Sequence, residues 1–112
     1  MHELSLAQNV VEILCEEATT HGLTRITSYR LAVGELRAVV PEMLRTCLKI
    51  VGRGTAVDGA AMDLQVVPGR IHCSCGEMFD VSELLFLCPG CGRPGGEIIS
   101  GQELMLVEIE GD

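Results

Sequence analysis

Tryptophan is absent, and one tyrosine and two phenylalanines are the whole aromatic complement of 112 residues, so aliphatic side chains must fill any core. Positive charge is scarce as well. Eight Lys and Arg stand against sixteen Asp and Glu, a formal net charge of −8 at pH 7, and that balance repels phosphate backbones and anionic membrane surfaces. The basic residues Arg25, Arg30, Arg37, Arg45, Lys49, Arg53, Arg70 and Arg93 are scattered, with no run dense enough to make a footprint for nucleic acid. No apolar run reaches the length of a membrane-spanning helix. The start, with His2 and Glu3, lacks the positive charge and following apolar stretch of a secretory signal, so a cytoplasmic protein is expected. Internal repeats and low-complexity tracts are also missing. An apolar fraction of 47% argues for one modest folded core with room for a small appended module.

Leu6, Ala7, Val10, Ile13, Leu14 and Ala18 recur at helical spacing, with Gln8, Glu12 and Glu16 stacked opposite, and predict an amphipathic helix from about Leu4 to His21. Gly22 suits its C-cap, and Cys15 lies at its edge as a partly buried thiol. From Arg25 to Val33 the period is two. Thr27, Tyr29, Leu31 and Val33 share one face, Ser28 and Arg30 the wetter one, and Gly34 ends this strand. Pro41 suits the first turn of a second helix whose stripe is Leu44, Cys47, Leu48 and Val51, with Cys47 as a small core residue.

A strand near Met62 to Val67 is closed by Pro68 and Gly69, and a last one runs from Glu103 to Glu110 with Met105, Val107 and Ile109 opposite Glu108 and Glu110. The glycine-rich stretch from Gly90 to Gly101 reads as a loosely held return path. The expectation is an α+β fold of two helices packed on a small three-stranded sheet. Residues 1–69 plus 102–112 form the main domain, and 70–101 an inserted zinc-ribbon-like module.

Six cysteines in a reducing compartment read as metal ligands or core residues rather than disulfides, and spacing decides which. Cys73-Ser74-Cys75-Gly76 and Cys88-Pro89-Gly90-Cys91-Gly92 form two close pairs separated by twelve residues. Four thiolates match the closed tetrahedral site that zinc uses structurally, and so small a module has little else to hold it folded. Val81, Leu84, Leu85, Phe79 and Phe86 offer it only a thin apolar cluster. A glycine after each pair suits a turn with an unusual backbone conformation. The C-x-C spacing of the first pair departs from C-x-x-C and leaves His72 as an alternative to Cys73. A redox dithiol at Cys88 and Cys91 and a nucleic-acid zinc ribbon are the competing classes. Glu77, Asp80 and Glu83 against Arg70 and Arg93 give the module no basic face for the second of these.

Met1-His2-Glu3 carries distinctive donors. The α-amine of Met1, the amide nitrogen of His2 and its imidazole close adjacent chelate rings around a metal, with Glu3 able to add an amide or a carboxylate. Planar nitrogen-rich sets suit Ni(II) or Cu(II) rather than zinc. A solvated terminal histidine is the alternative.

Met1-His2-Glu3-Leu4-Ser5, Val33-Gly34-Glu35-Leu36, Pro41-Glu42-Met43-Leu44 and the two cysteine pairs together resemble the HypA/HybF family of hydrogenase nickel-incorporation proteins, over nearly the whole chain. The resemblance implies a nickel metallochaperone, not an enzyme, serving maturation of [NiFe]-hydrogenase and in some members of urease. It implies Ni(II) as transient cargo at Met1, His2 and Glu3, and structural Zn(II) at a four-ligand site. Cys88 and Cys91 match the family's second zinc pair and Cys75 the last cysteine of the first. The first pair here is one residue shorter than the family's, so Cys73 and His72 both remain for the fourth ligand. Implied partners are a nickel-handling maturation GTPase and the hydrogenase large subunit, with a homodimer left open and neither nucleic acid nor membrane expected. The sequence has no phosphate-binding loop, so any GTP hydrolysis belongs to a partner.

Overall fold

The computed structural model describes residues 2–81 and 87–112. The first helix, α1, spans His2–Thr20, two residues earlier than the periodicity predicts, so His2 and Glu3 belong to its first turn. Its buried stripe is Leu6, Ala7, Val10, Val11, Leu14 and Ala18. Val11 replaces the expected Ile13, which is 47% exposed. At 100° per residue Val11 lies about 60° from the centre of that stripe and Ile13 about 100°, which is beyond the reach of the core. Gly22 closes the helix at φ +68°. The amide of Leu23 donates to the Ala18 carbonyl and that of Gly22 to Thr19, the paired bonds that a left-handed glycine makes possible at a helix end.

Strand β1 covers Ile26–Gly34. Its face reading needs one correction: Ile26 is fully buried while Thr27 is exposed, and Thr27 uses its hydroxyl to donate to the Glu110 carbonyl. From Tyr29 to Gly34 burial extends to nearly every residue, as expected of a strand flanked on both sides. Helix α2, Pro41–Val51, starts at the proline as its fixed φ favours. Leu44 and Leu48 are buried, whereas Cys47 and Val51 are only half-buried at the edge of the stripe. The two helices pack against each other. Strands β2, Ala61–Val67, and β6, Leu104–Gly111, flank β1 in the order β2-β1-β6. Met105 and Val107, expected to face inward, are more than half exposed; β6 is an edge strand, and the core does not cover that face at these two positions.

Three further strands lie where the periodicity is too short to read: β3 (Gly69–His72), β4 (Met78–Val81) and β5 (Glu97–Ser100), in the order β4-β3-β5. Both pairings are antiparallel, with Ile71 opposite Phe79 and Ile98. The stretch expected to be a loose return path therefore holds a paired strand. Ile71 and Val81 are buried and Phe79 half-buried; Leu84, Leu85 and Phe86 of the expected cluster lie outside the described residues.

The chain divides into two compact units, one of the N-terminal segment through Ala32 with Val39–Gln65 and Met105–Asp112, the other of Val33–Ala38 with Val66–Leu104. The second unit thus takes in a segment, Val33–Ala38, distant in sequence from the cysteines. There Leu36 donates its amide to the Gly101 carbonyl at 2.8 Å and Gly34 to Glu103 at 2.7 Å. Gly34 abuts the Gly101 backbone so closely that a Cβ has no room. Its role is close approach as much as strand termination.

Candidate metal centre

The strongest convergence of ligand atoms begins with three local turns. Cys73 donates its amide to Glu77 O at 2.8 Å and accepts at its carbonyl from Gly76 N at 2.9 Å. Cys88 donates to Arg93 O at 3.0 Å and accepts from Gly92 N at 2.8 Å. Each turn closes on a glycine of positive φ, Gly76 at +97° and Gly92 at +74°. Neither has a neighbour within 4 Å of where a Cβ would sit, so the requirement there is conformational rather than spatial. The third turn aims the Gly90 amide at Cys88 Sγ, 3.3 Å away.

These turns bring the sulfurs of Cys73, Cys75, Cys88 and Cys91 within 4.8 Å of one another. Cys73 Sγ lies 3.6 Å from Cys91 Sγ and Cys75 Sγ 3.7 Å from Cys88 Sγ. A tetrahedron of thiolates at zinc–sulfur bond length has edges of about 3.8 Å, so the cage has the size of a zinc site. Among the described residues it is the sole grouping of three or more potential metal ligands. His72 is not part of it; it sits exposed on β3, opposite Met78 and Glu97. Cys73 and Cys88 are buried, Cys75 and Cys91 exposed, so each pair offers one sulfur to the interior and one to the rim.

Four thiols this close cannot all ionise without a cation. The backbone amide of Cys75 and the neighbouring thiols lower the Cys73 pKa to about 7. Cys75 moves the other way: the Glu77 amide lowers it, but Cys73, Cys88, desolvation and Cys91 together raise it to about 12. One negative charge is stabilised and the next opposed, so a bound dication would be needed for all four to be thiolates together. A dithiol of Cys88 and Cys91 alone would not need the other pair in contact with it.

At the other end of the sequence, His2 is exposed and Glu3 half-buried in the first turn of α1. Met1 lies outside the described residues. The Glu3 carboxylate accepts a hydrogen bond from the Val40 amide at 3.3 Å, and its own and Val40's backbone amides hold its pKa below the usual carboxylate value. Sequence reasoning missed this engagement, since nothing in the spacing links residue 3 to the residue before Pro41.

The profile described as "Hydrogenase/urease nickel incorporation, metallochaperone, hypA" matches residues 1–111. Among curated proteins, the hydrogenase maturation factor HypA of Geobacter metallireducens is 40% identical over 111 residues, 98% of each chain. That of Rhizobium leguminosarum is 39% identical over the same share. Among solved structures, the Ni metallochaperone HypA from Helicobacter pylori superposes with a TM-score of 0.71 at 23% identity, covering 99% of this chain and 97% of that one, a likeness of fold.

Proposed function

Because this chain belongs to the HypA family of nickel-incorporation metallochaperones for hydrogenase maturation, we propose that it carries Ni(II) at its N-terminus and hands it on during assembly of a [NiFe]-hydrogenase. The observation that carries this reading is the exposed His2 in the first turn of α1, in a chain matched to that family over residues 1–111. The donors are the Met1 amine, the His2 amide and imidazole, and Glu3 in support. The His2 amide is among the first N–H groups of a helix, which have no intrahelical acceptor, so its deprotonation breaks no helical hydrogen bond. The helix dipole works against a cation at that end. The ionised amide and the Glu3 carboxylate offset it.

Zinc is the resident metal of the cysteine cage, with Cys73, Cys75, Cys88 and Cys91 as ligands rather than His72. The sulfur spacing and the all-thiolate donor set fit it. Its contribution is structural, a closed site that holds short strands together, and the protein itself catalyses no reaction. A nickel-handling GTPase and the hydrogenase large subunit are its partners in the cytoplasm, and urease is a second client. No helix among the described residues is long and apolar enough to cross a membrane.

Nickel titration of zinc-loaded protein tests the terminal site. His2→Ala, or residues added before Met1, should abolish stoichiometric nickel binding and leave zinc content intact. Binding should also weaken as pH falls, since amine and amide must both lose protons to bind. Undiminished nickel uptake by both variants would sink the terminal chelate.

A further inference from the structure

Basic residues that read as scattered along the sequence are drawn into line by α2. Arg45, Lys49 and Arg53 recur every fourth residue, on one side of the helix and the turn that follows it, a side that carries one acid, Glu42, in the first turn. Arg45 donates to the Met62 carbonyl at 3.2 Å. Arg30 is paired with Asp63 and Glu108, and Arg70 with Asp80, but among the described residues neither Lys49 nor Arg53 meets a carboxylate.

Beside this basic flank runs an apolar ridge. Met43 and Ile50, seven residues apart and so on one line of the helix, are 45% and 51% exposed, and Val40 at the helix start is 49% exposed. The ridge is no displaced core stripe, because Leu44 and Leu48 are buried on the opposite side. Single exposed apolar residues need no explanation; an aligned ridge beside unneutralised cations, in a chain of net charge −8, calls for a complementary surface.

We propose that the outer face of α2 is a docking surface for an acidic amphipathic helix of a partner protein, apolar side chains on Met43 and Ile50 and carboxylates on Lys49 and Arg53. Charge complementarity selects this occupant. An anionic bilayer is the poorer match, since the larger apolar face of α2 is already spent on the core and the chain as a whole is acidic. Val40, exposed just before the helix that carries the ridge, has its amide bonded to Glu3, so an occupant reaching the helix start lies next to the terminal motif. That adjacency to cargo rests on the nickel reading; the docking does not.

The test uses full-length zinc-loaded protein and two synthetic helices, one of leucine and glutamate and its twin with lysine for glutamate, read by amide NMR shifts. The acidic helix should shift signals of residues 40–53, and Lys49→Glu with Arg53→Glu should weaken it by roughly tenfold or more while the lysine twin gains binding. Met43→Ser with Ile50→Ser should weaken it by a similar factor of about ten. Circular dichroism of each variant checks the helix. Equal binding of both twins to the unmodified protein, or shifts elsewhere or nowhere, would overturn the proposal. So would α2 shifts with phosphatidylglycerol vesicles, or with protein concentration alone, which point to a membrane or a second copy. All variants should keep nickel capacity; peptide binding at α2 in a protein that takes up no nickel would leave the docking surface standing and the nickel reading refuted.

Discussion

At the scale of single atoms, the four sulfurs that cluster are those of Cys73, Cys75, Cys88 and Cys91, which favours Cys73 over His72 as the fourth ligand of the proposed zinc. Cys73 Sγ lies 3.6 Å from Cys91 Sγ, whereas His72, the last residue of β3, is exposed and outside the cluster. His72→Ala is therefore expected to retain zinc, and Cys73→Ser to lose most of it, in a chromogenic assay of metal released from purified protein. A histidine-dependent site would give the reverse. Tyr29 supplies a second residue-scale test, since the chain has one tyrosine and no tryptophan and its phenolate absorbance reports that side chain alone. Burial raises its pKa to about 12, with Arg45 lowering it in part. A raised folded-state value means the unfolded chain loses the proton first, so stability is intact below the ordinary value near 10 and falls as pH rises from there toward about 12. The absorbance should titrate well above free tyrosine, and Tyr29→Phe should flatten that alkaline loss of stability. An unshifted titration would contradict the buried ring.

Elements show where periodicity is a sufficient guide and where it stops. In α1 the sequence pattern finds the helix but not the edge of its stripe, because Val11 and Ile13 differ only by their angle to the core. Leu14→Ala, at a fully buried position, should cost about 2–5 kcal/mol in denaturant melts, and Ile13→Ala should stay within about 0.5 kcal/mol of the unmodified protein. Comparable losses at both sites would mean that Ile13 is covered. The strands β3, β4 and β5 have four residues each, too few for alternation to rise above chance. Pairing creates them: Ile71 acquires a face only once Phe79 and Ile98 lie opposite it. A different limit applies to β6, eight residues long: its alternation is legible, but whether packing covers the apolar face is not, and Met105 and Val107 are left in solvent.

For the whole molecule, the two compact units depend on different forces. The helical unit buries Leu6, Val10, Leu14, Leu31, Leu44 and Leu48, enough aliphatic surface to stand on hydrophobic burial. The cysteine unit buries few large side chains among its described residues, Ile71 and Val81 chief among them, and on the proposed reading a zinc ion supplies what that burial lacks. Stripping zinc with a chelator should collapse amide protection in β3, β4 and β5 while the helical circular dichroism persists. Loss of both together would show one cooperative unit. The family and the four clustered cysteines were legible in the order of residues, since residue types, their spacing and the helical periods are local properties that any chain of this sequence carries. What only the folded chain decided is which atoms meet. Sulfurs from residues 73 to 91 converge because three turns close on them, Glu3 finds the Val40 amide across 37 positions, and cations spaced four apart share one side of α2 and the turn after it. Distance along a sequence carries no information about distance through space until packing has chosen one set of contacts.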